Sequence, residues 1–283
     1  MQLKNARSFL FVPGDQSEKV EKAFKSGADA VIIDLEDAVR TENKVLARNS
    51  LNSHQRMDGP FFIVRVNAFD TVECIDDLKA AITAGVDAIV IPKFVPGAKA
   101  HAIDSALNAI ELELGVSAPV SVIALVESAE GVIALINGSE IPDRVCRLAL
   151  GTADLLGDLG VSAKAPHIYV NLAMASLVLA SAVKKIAPPI AAPHFILRDN
   201  EGVRETCLHA RAMGFGGRLC IHPDQVAIVK ACFEIDSAEL TWAQRVISIW
   251  PRENLSKGGA IVIDGELIDE AMVKRARAIL ELL

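Results

Sequence analysis

Eight short runs of apolar, β-prone residues recur along the chain, most of them followed by a stretch with helical spacing, and this alternation restricts the fold more than any other feature. The runs cover residues 8–12, 30–34, 61–66, 88–91, 120–126, 147–150, 190–192 and 219–221. Most are unbroken, as expected of parallel strands with helices on one face and a filled interior on the other. The spacing predicts helices over 16–26, 73–84, 99–113, 128–136 and 201–213, and 176–192 reads as a buried helix running into a strand. Three joints, SGADAVIID, AGVDAIVIPK and AMGFGGRLCIHP, place Gly27, Gly85 and Gly214 where a helix ends, a position that favours a left-handed residue without a Cβ. The expected fold class is α/β: a (β/α)8 TIM barrel over residues 1–235. An open doubly wound sheet is the rival, because the count of eight rests on the short seventh run. Residues 236–283 form an extension that breaks the rhythm and is a candidate lid over its own or a neighbouring active site. There, 240–249 reads as a helix ended by Pro251, LSKGGAIVIDGELID as a flap or a hairpin turning at Asp264–Gly265, and 270–282 as a last helix.

A barrel of this kind takes roughly 250 residues, which nearly fills the 283 available. The net charge of −7 and the lack of a basic stripe argue against nucleic acid. No run approaches the about 20 apolar residues of a membrane span, and the apolar part of MQLKNARSFLFVPGD is too short for a secretion signal, so a cytoplasmic protein is expected. The five cysteines are odd in number and form no CxxC pair, which fits a reducing compartment. Cys207 with His209, and Cys220 with His222, lack the partners that a zinc site needs.

Parallel barrel strands all end at one mouth, where such folds carry their chemistry. Glu127 closes the apolar run SVIALVE and Asp154 follows RLALGTAD, so two carboxylates are expected to converge there. Acids are seldom buried without a partner. A hard divalent cation such as Mg2+, completed by water and substrate oxygens, would supply one. The plainer alternatives are solvated loop acids or helix caps, with Ser128 and Thr152 available to cap beside them. Arg65, in FFIVRVN, ends a third run; its planar fork matches a carboxylate, either of a substrate or of an acid inside the barrel. Asp34, Glu36 and Asp37 crowd the end of the second run, and Lys93 ends the fourth, where it can neutralise them. The same acids favour the charged amine and so oppose a Schiff-base role for Lys93. Pro13–Gly14–Asp15, with Lys19 and Lys22 on the next helix, could hold a phosphate or simply face solvent. His222, after Ile221, lies where barrel loops often bind phosphate, or is a structural histidine. Together these residues point to an enzyme acting on a small carboxylic acid with a divalent metal.

The segments RSFLFVPGD, ADAVIIDLEDAV, VRVN, ALVESAEG, LALGTADL and LCIHPDQV, in this order, resemble the HpcH/HpaI aldolase/citrate lyase family, in its citrate lyase β-subunit-like branch. The resemblance implies a TIM barrel assembled as a homotrimer or hexamer. It also implies Mg2+-dependent cleavage or formation of a carbon–carbon bond in a hydroxyacyl thioester of CoA or of an acyl carrier protein, of the citryl, malyl or citramalyl type. By position it implies metal binding by Glu127 and Asp154 and carboxylate binding by Arg65. Glu36 and Asp37 match acids at the metal's water shell, Phe11 and Lys22 match CoA-side positions, and Ile221 and His222 lie in a loop close to the thioester. Asp269, in LIDEAM, matches an acid/base inserted from a neighbouring subunit; the proline usual two residues on is Ala271 here. The expected reaction is a retro-Claisen cleavage to an acetyl or propionyl thioester and a keto acid. The rival readings are an aldolase on free keto acids of the pyruvate type, a thioester hydrolase, and a subunit active only within a larger lyase complex.

Overall fold

The computed structural model describes residues 2–53, 59–162, 168–257, 260–263 and 265–280. They fall into two compact units, Met1–Phe233 and Glu234–Leu283.

In the first unit, eight parallel strands close into a barrel in chain order: β1 (Ser8–Pro13), β2 (Ala30–Asp34), β3 (Phe61–Arg65), β4 (Ala88–Ile91), β5 (Ser121–Val126), β6 (Val145–Leu150), β7 (Ile190–Ala191) and β8 (Gly217–Cys220). β1 pairs with β8 to complete the ring, so the open-sheet alternative is excluded. The side-chain period of two sorts each strand between two cores. Phe9, Ile32, Ile63, Val90, Ile123 and Leu219 fill the barrel. Their neighbours Leu10, Val31, Val64, Ile89, Val122 and Leu148 face the helices. Burying each such side chain contributes about 1.5–3 kcal/mol, and both faces are used, which is why the strands read as continuous apolar runs.

Arg147 on β6 is wholly buried. Its Nε donates to Pro188 O (2.9 Å), its Nη1 to Ala6 O (2.6 Å), and its guanidinium lies 5.1 Å from the Phe9 ring centroid. It thereby ties β6 to the segments that enter β1 and β7. Burial pulls its pKa down to about 10, so it remains charged at neutral pH.

The surrounding helices are α1 (Ser17–Phe24), α2 (Lys44–Ser50), α3 (Cys74–Thr83), α4 (Ala98–Leu114), α5 (Ala129–Ile136), α6 (Thr152–Asp158), α7 (Ile168–Lys184), α8 (Asn200–Ala212) and α9 (Asp224–Phe233). Gly27, Gly85 and Gly214 adopt φ of +79°, +73° and +98°, the left-handed caps expected of them. Ser128 caps α5 by accepting from Gly131 N. Thr152 does not cap: it is the first residue of α6, and Gly151 stands at the cap position. β8 begins two residues earlier than the apolar run because Gly217 and Arg218 join the ladder to β7 and β1, which leaves Ile221 and His222 beyond the strand. All five cysteines are free thiols.

The second unit contains α10 (Ser237–Lys257), an antiparallel pair β9 (Ala260–Ile263) and β10 (Glu266–Asp269), and α11 (Glu270–Leu280). Its own small core is built from Ala243, Val246, Trp250, Ile261, Ile268 and Val273. The helix does not stop before Pro251 as the sequence predicts. Gly258, Gly259, Asp264 and Leu282, which figure in the expected flap, turn and last helix, lie outside the described residues. Among the described residues no helix is long and apolar enough to cross a membrane.

Candidate active site at the barrel mouth

The strand C-termini surround a cavity of about 400 Å3 whose wall includes Phe11, Asp34, Arg65, Glu127, Asp154 and Ile221. The register explains the convergence: Asp34 at the end of β2 pairs with Arg65 at the end of β3, and Val126 at the end of β5 with Leu150 at the end of β6. Glu127 follows β5 directly, and Asp154 stands in the first turn of α6, just past the end of β6.

Glu127 is 97% buried, with a relative exposure of 3%. Its Oε1 accepts the backbone N–H of Lys93 at 2.8 Å. Lys93 holds φ at +49°, a left-handed conformation costly for a residue with a Cβ, and this backbone turn is what aims its N–H at the carboxylate. Gly151 closes over the other side: a Cβ there would lie 2.5 Å from Glu127 Oε2 and 2.6 Å from Glu127 Cβ. Gly151 has φ −106°, so close approach rather than backbone freedom calls for glycine. Burial raises the pKa of Glu127 to about 8, the Lys93 N–H opposes the rise, and Glu36 and Asp154 add to it. Asp154, in the first turn of α6, is exposed to the mouth.

Arg65 is engaged by acids of its own chain. Its Nε and Nη2 make a two-pronged pair with Asp34 (2.7 and 2.6 Å). Nη1 lies 2.9 Å from Glu36 Oε2 and 3.3 Å from Asp37 Oδ2. The guanidinium also stacks 4.9 Å from the centroid of Phe11. Asp34 is saturated, since it also accepts from the N–H groups of Glu36 and Ala38. It is the anchor of the arginine, which leaves Nη1 as the corner of the fork nearest further chemistry. Burial weakens the charged form of Arg65, but the three acids outweigh it and hold its pKa above the ordinary value. Glu36, buried, has its pKa raised to about 7: burial raises it, Arg65 pulls down, and Asp37 and Asp34 push up. Its Oε2 has no hydrogen-bond partner despite the nearby guanidinium. Lys93 Nζ stands 3.7 Å from Glu36 Oε1, on a half-exposed side chain.

The other expected residues are placed more loosely. Ile221 lines the cavity, with its N–H held by Gln225 Oε1. His222 is exposed and its Nδ1 accepts from Asp224 N. Lys22 is an exposed residue of α1. Asp269 belongs to the second unit, where it is exposed and caps α11 by accepting from Met272 N. Sequence reasoning missed Gly151, the backbone role of Lys93, and Phe195, which follows β7 and lines the same cavity.

Among the described residues no group of three or more His, Cys, Asp or Glu is disposed to hold a metal. A zinc-type cage is therefore a poor match to this donor set. Mg2+ needs only one or two carboxylates and takes its remaining oxygens from water and substrate. Two carboxylates at the mouth and two raised carboxyl pKa values describe a site short of positive charge. The residues fit such an ion.

The chain matches the HpcH/HpaI aldolase/citrate lyase family over residues 7–223. It is 32% identical over 276 residues to a (3S)-malyl-CoA thioesterase of Cereibacter sphaeroides, covering 96% of this chain and 92% of that protein. It is 33% identical over 280 residues to a citrate lyase subunit beta-like protein of Mycobacterium tuberculosis, covering 96% and 93%. Among solved structures, CitE of M. tuberculosis, in complex with magnesium, acetoacetate and coenzyme A, superimposes with a TM-score of 0.75 at 28% identity, covering 99% of both chains.

Proposed function

The chain belongs to the HpcH/HpaI aldolase/citrate lyase family, and on that premise we propose that it is a Mg2+-dependent carbon–carbon lyase acting on a hydroxyacyl thioester of the citryl-, malyl- or citramalyl-CoA type. The observation that carries this reading is the buried Glu127 carboxylate, clamped by the Lys93 amide and sharing a cavity with Asp154 and Arg65. Magnesium in the M. tuberculosis CitE complex supports the choice of ion.

Glu127 and Asp154 would hold the Mg2+, which supplies Lewis acidity to a substrate oxygen. Arg65 offers Nη1 to the carboxylate of the keto-acid half, while Asp34 keeps the guanidinium plane fixed. Glu36, and Asp37 at the cavity edge, orient water around the metal position and compete with the substrate carboxylate for Nη1. Phe11, Leu125 and Ile221 give the cavity an apolar wall that excludes water from the developing enolate side. Lys22 and the loop at His222 are the candidate CoA contacts. Asp269 moves the proton to or from the acetyl or propionyl thioester carbon, contributed from a neighbouring copy in a homotrimer or hexamer. The extension 236–283 acts as the lid that carries it.

Purified protein with Mg2+ would be given malyl-, citramalyl- and citryl-CoA while keto-acid release and free CoA are followed separately. Keto acid without free CoA is the expected result. Free CoA with the intact hydroxy acid identifies a thioesterase instead, a reading favoured by the C. sphaeroides relative. Turnover of free keto acids without any thioester would identify the aldolase, and activity only with an acyl carrier protein and further subunits would identify a complex-bound subunit.

A further inference from the structure

A second cavity of about 600 Å3 opens between α7 and α8, floored by β6, β7 and β8. Such volumes lie within the about 300–1,000 Å3 of small-molecule sites. Its walls are mostly apolar, with Leu150, Met174, Ala191, Phe195 and Ala210 among them. None of the described residues that line it is acidic. Yet Arg218 lines it, and Arg218 is 94% buried, with a relative exposure of 6%. Its strand neighbours in register are Ala191 on β7 and Ser8 on β1, and neither carries a carboxylate. Among the described residues, the one side-chain hydrogen bond of Arg218 runs from Nη1 to the Cys207 thiol, a long 3.8 Å contact. Among the described residues its Nε has no hydrogen-bond partner.

A buried guanidinium normally meets an anion, because desolvation of the charge is otherwise uncompensated. Arg65, a few strands away, shows the usual solution with Asp34. Among the described residues Arg218 lacks it, and it faces a cleft whose walls are mostly apolar. We infer that this cleft binds an aliphatic carboxylate, whose carboxyl group pairs with Arg218 while its chain lies along Met174, Ala191 and Phe195. Thr206 and His209 on α8, with Thr152, Asn171 and His194, are the further polar residues that line the cleft. The cleft shares Thr152, Ala153, Pro193 and Phe195 with the reaction cavity.

Hexanoate serves as the probe, titrated calorimetrically into the full chain. Saturable binding of one equivalent is expected, at least tenfold tighter than that of acetate, which lacks the chain, or 1-hexanol, which lacks the charge. Arg218→Met should weaken it at least tenfold. Ala191→Asp places a carboxylate beside the guanidinium; it should abolish hexanoate binding and raise the thermal midpoint, which keeps the test decisive if Arg218→Met does not fold. No saturable binding to the unaltered chain, or binding that survives Ala191→Asp with the circular dichroism spectrum unchanged, overturns the inference. The probe carries no thioester, so its outcome is independent of the lyase reading.

Discussion

Gly151→Ala is the sharpest test of how the site is built. Glycine at this point is not demanded by the backbone, whose φ of −106° and ψ of 104° suit alanine. On backbone entropy alone, alanine should stabilise the fold by about 0.4–1 kcal/mol. The steric effect opposes it. The new methyl group would meet Glu127 Oε2 at 2.5 Å and Glu127 Cβ at 2.6 Å, whereas ordinary contacts begin at 3.4 Å. The carboxylate end could swing aside, but the Cβ cannot, because Gly151 N is bonded to Val126 O at 3.0 Å and holds the two backbones together. Glu127 must shift by close to an ångström, and its 2.8 Å bond to Lys93 N is lost or strained. Overpacking of this kind costs about 1–3 kcal/mol. A hydrogen bond to a charged group is worth about 1.5–3 kcal/mol. The steric penalty therefore wins, and the part that falls on the carboxylate weakens Mg2+ binding by about ten- to a hundredfold at 1.4 kcal/mol per decade. Calorimetric Mg2+ titration, beside thermal denaturation with and without the ion, measures both. A variant with undiminished Mg2+ affinity and a raised midpoint would refute the claim that Glu127 is the ligand and Gly151 its clearance.

Mg2+ binding should release protons. Glu127 and Glu36 have pKa values raised to about 8 and about 7 in the folded protein. The ion therefore displaces protons near neutrality, and its affinity should rise with pH between 6 and 8.5; titration in two buffers of different ionisation enthalpy counts the protons. The same shifts set the sign for the metal-free fold. Because the folded pKa values lie above the unfolded ones, the folded state keeps protons that the unfolded state has lost. Apo stability should therefore decline as pH rises from about 4.5 toward 8, and urea titrations across that window would show it. Asp34→Asn leaves Arg65 without its two-pronged partner and should cost about 3 kcal/mol, read as a lower denaturation midpoint with unchanged slope. Asp269→Asn keeps the cap on α11, since asparagine caps as well as aspartate. It should lower kcat with Mg2+ affinity unchanged, and mixing it with Glu127→Gln should restore activity if the two residues meet across subunits; failure of both expectations would remove Asp269 from the reaction.

What was legible in the sequence follows from what is local. β2 was read to the residue because its five positions are all buried and Gly27 punctuates its start. The carboxylates at 127 and 154 were legible because parallel strands have no choice about where they end. α2 was not, because it buries one residue, Ala47, and so carries no stripe. The sequence leaves the pairing of Arg65 open between a substrate and an internal acid, and the structure fills that fork with Asp34 and Glu36. Nothing in FFIVRVN could have decided this, since the answer depends on register between β2 and β3. Gly151 and Lys93 share that difficulty: a missing methyl group and a left-handed turn matter only because Glu127 lies against them from a different strand. Arg218 carries the lesson furthest. In the sequence it is an ordinary arginine of GGRLC, and only its ladder neighbours, Ala191 and Ser8, show that no strand residue beside it carries an opposing charge.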